Sequence, residues 1–159
     1  MRITIERTLE PEVVDRFRRI YREAFAPFDT LSAVRQALTD DEFDEEMAEP
    51  GILKFLGVDD RGEAAALALV TTDLELVPWI NERFYEHHYP DHYERRAIIY
   101  FFTLLVAPEA QGSPWVVAMI EALSMHTAML RGMVAFDCCE FNVKDMAIPD
   151  LIRGIGERF

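Results

Sequence analysis

The sequence predicts an α/β domain in which helices flank a mixed, mostly antiparallel sheet. Three observations carry this. Residues 97–132, AIIYFFTLLVAPEAQGSPWVVAMIEALSMHTAMLRG, read as a buried strand, a glycine turn and a helix. Residues 52–72 read as two apolar strands joined by the turn Asp59-Asp60-Arg61-Gly62. Strands and helices then alternate along 159 residues of which 50% are hydrophobic, enough for one domain with a real core, residues 1–159.

In chain order, residues 2–8 alternate, with Ile3 and Ile5 on one face, and predict a first strand. Glu10-Pro11-Glu12 opens a helix to Phe25, its apolar stripe made by Val13, Val14, Phe17, Ile20, Tyr21 and Phe25. The acidic first turn suits the positive end of the helix dipole. Ala26-Pro27-Phe28-Asp29 stops it, and residues 31–38 predict a second, shorter helix. The densest charge run, DDEFDEEMAE at 40–49, reads either as a solvated helix face anchored by Phe43 and Met47 or as an acidic surface for a basic partner.

Pro50-Gly51 breaks the chain before the strand 52–58, the turn and the partner strand 64–72. A helical or irregular insertion follows at 73–96, and the central strand occupies 97–106. Ala107-Pro108-Glu109-Ala110 punctuates it and Gln111-Gly112 turns the chain. Ser113 is expected to cap the next helix, with Pro114 at its first position and Gly132 as its C-terminal cap. Residues 133–141 predict a fifth strand and 147–159 a final helix.

The formal net charge of −13 argues against a generic nucleic-acid or anionic-membrane binder and favours neutral or cationic ligands. The longest apolar run, 97–107, is too short to span a bilayer, and the start MRITIERTLEPE has no signal-peptide core, so a cytoplasmic protein is expected. Cys138 and Cys139 are adjacent and read as reduced structural thiols.

The insertion has the most unusual local composition. Trp79, Phe84, Tyr85, Tyr89 and Tyr93 crowd together with His87, His88 and His92. Trp79, Tyr85 and Tyr89 are candidate substrate-binding residues in a pocket wall or lid, with aromatic packing under a long loop as the other reading. His88 and His92 are four apart, but Pro90 between them opposes the unbroken helix that a zinc pair needs, and no metal is expected. His126 reads as a packed or surface residue. A general base acting through water is available from Glu86, Glu94 or a histidine. Neither Ser113 nor Ser124 sits in a nucleophile elbow.

The element order, and Val106, Pro108, Glu109, Gln111 and Gly112 after the central strand, resemble the GCN5-related N-acetyltransferase (GNAT) superfamily. That family carries Gln or Arg followed by glycine-spaced residues between its fourth strand and the following helix. Here Pro114 and Val116 stand where those glycines would, so the loop is degenerate: Pro114 has no N–H and Val116 adds a branched side chain. The resemblance implies an acyl-CoA-dependent N-acyltransferase, with acetyl-CoA or another acyl-CoA as cofactor and a small amine or related acceptor. It implies cofactor contacts from Leu105, Val106, Gln111, Gly112, Ser113, Trp115 and Val116. The alternative is a non-catalytic GNAT-like domain that binds a ligand or a protein. Many members protonate the leaving thiolate with a tyrosine of the last helix, but no tyrosine follows Tyr100 here, so the catalytic residues stay unassigned. The family also adds two strands after the fifth. A shortened sheet with an apolar fifth strand leads us to expect a homodimer through residues 133–141.

Overall fold

The computed structural model describes residues 1–26, 37–137 and 148–159. The expected helix at 31–38 falls almost entirely outside them, as do Cys138 and Cys139. The strands are β1 (Arg2–Glu6), β2 (Ile52–Val58), β3 (Ala64–Thr71), β4 (Ile98–Val106) and β5 (Met133–Ala135). The helices are α1 (Pro11–Phe25), α2 (Asp40–Ala48), α3 (Glu82–His88), α4 (Pro90–Glu94), α5 (Trp115–Met129) and α6 (Ile148–Gly156).

The five strands form one sheet in the order β1-β2-β3-β4-β5, antiparallel except for the parallel pair β4–β5. Each local element has its cause in the sequence. Asp59 Oδ1 accepts the amides of Arg61 and Glu63 and so shapes the β2–β3 turn. Thr39 caps α2 through a box with Glu42, its hydroxyl accepting the Glu42 amide at 3.3 Å. Every residue of β3 is buried, because both faces of the sheet are covered. Phe17 and Tyr21 of α1 and Phe43 and Met47 of α2 pack on one face, against Leu67, Leu69 and Leu105. Trp115, Met119 and Leu123 of α5 pack on the other, over Ala66 and Ala68, whose small side chains admit the helix.

Two departures matter. The expected fifth strand at 133–141 is observed as a strand only at Met133–Ala135, its later part lying outside the described residues. The helix α5 ends at Met129, and it is Arg131, at φ 47°, that takes the left-handed conformation assigned to Gly132. Gly132 is needed for a different reason, a close approach to Ala97.

Lys54 is a charged residue inside the sheet. It occupies an apolar strand, is fully buried, and donates to Glu49 O at 2.6 Å and Arg7 O at 3.1 Å. It thereby satisfies carbonyls at the end of α2 and after β1 that water does not reach. Burial lowers its pKa to about 8, with Glu49 and Glu46 opposing that shift.

Candidate functional site

Chemistry concentrates at two places along β4, one at its end and one midway. At the end, the chain passes through the 3-10 turn Pro108–Ala110, and Gly112 takes φ 75°, a conformation that suits a residue without Cβ. The first amide of α5 to find a carbonyl is that of Ala118, 2.9 Å from Pro114 O. The amides of Gly112, Trp115, Val116 and Val117 have no backbone partner among the described residues, as a helix start requires. They are the groups that an anion would meet here.

Ser113 does not cap the helix. The helix begins at Trp115, so Ser113 lies one residue too early, and its hydroxyl donates instead to Ala110 O at 2.5 Å. The Trp115 indole is buried over Gly57, where an added Cβ would stand 2.6 Å from the ring. Leu105 is buried beneath α1 and α2, and Val106 is half-buried toward α5. Of the loop residues singled out in the sequence, Gln111, Gly112 and Ser113 are exposed and Val116 is half-buried. Beside them opens a cavity of about 380 Å³ lined by Arg16, Arg61, Asp59, Asp60, Glu63 and Glu109. Arg16 pairs with Glu109. Backbone hydrogen bonds hold both Asp59 and Glu109 below the usual carboxylate range, from the Glu63 amide foremost for Asp59 and from its own amide for Glu109.

Midway, β4 and β5 pair only from Ile98–Met133 to Tyr100–Ala135, and beyond Tyr100 the β5 side of β4 has no strand partner among the described residues. At that point β4 carries a bulge: Leu69 faces Thr103 and Val70 faces Phe101, leaving Phe102 as the extra residue. Tyr100 and Phe102 meet there with Trp79 from the insertion, all three rings edge to face at 5.2–6.1 Å. The Tyr100 hydroxyl donates to Asp137 Oδ2 at 2.6 Å, and the Trp79 N–H reaches Tyr100 Oη at 2.8 Å and Asp137 Oδ2 at 3.1 Å. Burial, then the Asp137 hydrogen bond, push the Tyr100 pKa above the ordinary phenol range, against the Trp79 N–H. Tyr100 is therefore a protonated donor at neutral pH.

Of the three substrate-side candidates, Trp79 and Tyr85 come to this point, Tyr85 packing beside Ile98, Tyr100 and Ala135. Burial raises the Tyr85 pKa, with the Asp137 charge second. Tyr89 is exposed where α3 joins α4, at the point where Pro90 starts a new helix, and its ring meets that of Tyr85 at 6.5 Å. Tyr93 donates to Glu82 at 2.6 Å, which raises its pKa to about 12. Arg95 ties the insertion to the end of α5 through Leu130 O and Arg131 O. His126 is half-buried edge-on to Phe55, and burial lowers its pKa. No group of three or more His, Cys, Asp or Glu side chains among the described residues is placed to hold a metal ion. Tyr100, Phe102 and Asp137 went unread in the sequence. The signal available was an acidic residue just past the carboxyl end of a parallel strand, where open α/β sheets bind ligands.

A sheet of this order with α5 entered from the end of β4 is the fold of the GCN5-related N-acetyltransferases. Among solved structures, Tetrahymena GCN5 matches with a TM-score of 0.60 at 5% identity, over 93% of this chain and 77% of that one. An aminoglycoside acetyltransferase from an uncultured soil metagenomic sample, in complex with sisomicin, matches at 0.52 and 14%, over 96% and 86%. AAC(6')-Iy, in complex with the bisubstrate analogue CoA-S-monomethyl-acetylneamine, matches at 0.55 and 13%, over 96% and 90%. At these identities the likeness is one of fold. No family model matches the sequence, and no curated protein matches it in sequence.

Proposed function

We propose that this chain is an acyl-CoA-dependent N-acyltransferase acting on a small amine. One observation carries the reading: β4 parts from β5 after Tyr100, and its far end delivers the chain to the unpaired amides that open α5. Those of Gly112, Trp115, Val116 and Val117 suit a pyrophosphate. The edge of β4 beyond Tyr100 offers backbone groups to an extended, amide-bearing arm, as a sheet edge does to a peptide. From Phe102 to Val106 is four residues of strand, roughly 13 Å, so such an arm would run from the loop to the Trp79–Tyr100–Asp137 cluster. Bound acyl-CoA supplies a thioester already activated toward amines. Two neighbours of the same fold support the reading through what they hold, sisomicin in one and the CoA-linked bisubstrate analogue in the other.

A second reading, a GNAT-like domain that binds a ligand or a protein without catalysis, has its own observation. Pro114 withdraws a donor where α5 begins, and four carboxylates against two arginines line the adjoining cavity, which repels phosphate. Calorimetry with CoA separates the two. Wild-type protein is expected to bind CoA, and Pro114→Gly to bind it about ten- to a hundredfold more tightly by returning one charge-assisted hydrogen bond. No binding by either protein would sink the acyltransferase.

The same proposal includes a cytoplasmic location, which rests on composition, and a homodimer. The dimer is supported by the position of β5 at the edge of the sheet among the described residues, and by the exposed Val117, Met125 and Met129 on one side of α5. Sedimentation across a range of concentrations should show a dimer, and a monomer at the highest of them would refute it.

A further inference from the structure

We propose that Asp137, with Trp79 and Tyr85 beside it, binds a protonated alkylamine. In the acyltransferase reading this is where the acceptor docks, but the binding itself stands without that reading. Asp137 is exposed, yet its carboxylate is not free to wander. Oδ2 accepts from the buried Tyr100 hydroxyl at 2.6 Å and from the Trp79 N–H at 3.1 Å. Oδ1 has no hydrogen-bond partner among the described residues, and no arginine or lysine among them pairs with the group. A carboxylate oriented by two donors, with no cation beside it among the described residues, is prepared for one from outside.

The aromatic side decides which cation. Trp79 is 55% exposed although its N–H is tied down, so a fixed indole face stands open beside the charge. Such a face attracts an organic ammonium and packs its alkyl chain, whereas a hydrated metal ion gains little from it. Half-buried Tyr85 feels the Asp137 charge and brings a hydroxyl with no partner among the described residues. The net charge of −13 draws cations toward the molecule as a whole. Two cavities among the described residues do not serve: one lies against the β2–β3 turn and the other, about 220 Å³, against Asp73, Glu82 and Tyr93.

The test titrates butylammonium chloride into the protein and follows tryptophan emission, with Trp79→Phe as the blank for Trp115. Butanol and sodium chloride at matched ionic strength are the comparators. Butylammonium is expected to give a saturable change that neither comparator gives. Asp137→Asn should weaken it at least about tenfold, the scale of a lost charge-assisted contact, with its melting curve unchanged. Equal affinity for butanol, or an unaffected Asp137→Asn protein, would overturn the proposal. Should Asp137→Asn fold poorly, the butylammonium and butanol comparison on wild-type protein decides alone. CoA binding is read separately at the α5 loop, so loss of the acyltransferase reading leaves this result standing, and the reverse holds too.

Discussion

Gly132→Ala is expected to destabilise the fold by about 1–3 kcal/mol, the range for a forced overlap against packed backbone. A Cβ at this position would lie 2.4 Å from the carbonyl oxygen of Ala97. That oxygen cannot retreat. Ala97 is buried, and the same carbonyl accepts the Met133 amide at 2.9 Å, the bond that starts the parallel pairing of β5 with β4. The preceding Arg131 already holds a left-handed backbone, so the chain has little freedom to swing the new methyl aside. The substitution should therefore loosen β5 and, through it, the placement of Asp137. Urea unfolding gives the stability and butylammonium binding gives the placement. A midpoint equal to that of the wild type would show that the approach of Gly132 to Ala97 is looser than described.

Glu46→Gln is expected to stabilise the protein, by an amount that grows with pH. Glu46 lies half-buried on α2, and its pKa rises from 4.5 to about 7, by burial first and the charge of Glu42 second, against the pull of Lys54. Between these values the unfolded chain gives up the proton while the folded chain keeps it, so wild-type stability falls as pH rises through this window. Fully ionised, the group costs about 3 kcal/mol. Glutamine carries no charge at any pH and escapes the loss. The two proteins should match near pH 4 and differ by about 1–3 kcal/mol at pH 8, compared by urea unfolding at each pH. A difference independent of pH would mean that the side chain acts through packing or hydrogen bonding instead of charge.

What the sequence determined by itself is the local architecture. The apolar period of α1, the capping box of Thr39 and Glu42, the Asp59 turn and the uniform run of β3 each follow from residues a few positions apart. Alternation or helical spacing is a property of neighbours, so it is legible without a fold. The helix start at α5 was legible too, along with its lost donor at Pro114, although the step from Ser113 to Trp115 needed backbone angles.

Only the tertiary structure decided where the chemistry gathers. The bulge at Phe102 appears when β3 and β4 are set in register, and nothing in IIYFFTLLV marks it. Lys54 is held inside only because α2 and the chain after β1 close over it and present two carbonyls. Trp79, Tyr100 and Asp137 lie 21 and 37 residues apart along the chain, and no periodicity couples them. Their meeting depends on an insertion folding back over β4 and on β5 ending two residues before Asp137, where the strands part. Hydrogen bonds of 2.6–3.1 Å are satisfied only within such a closed arrangement, which long-range packing supplies and local propensity does not.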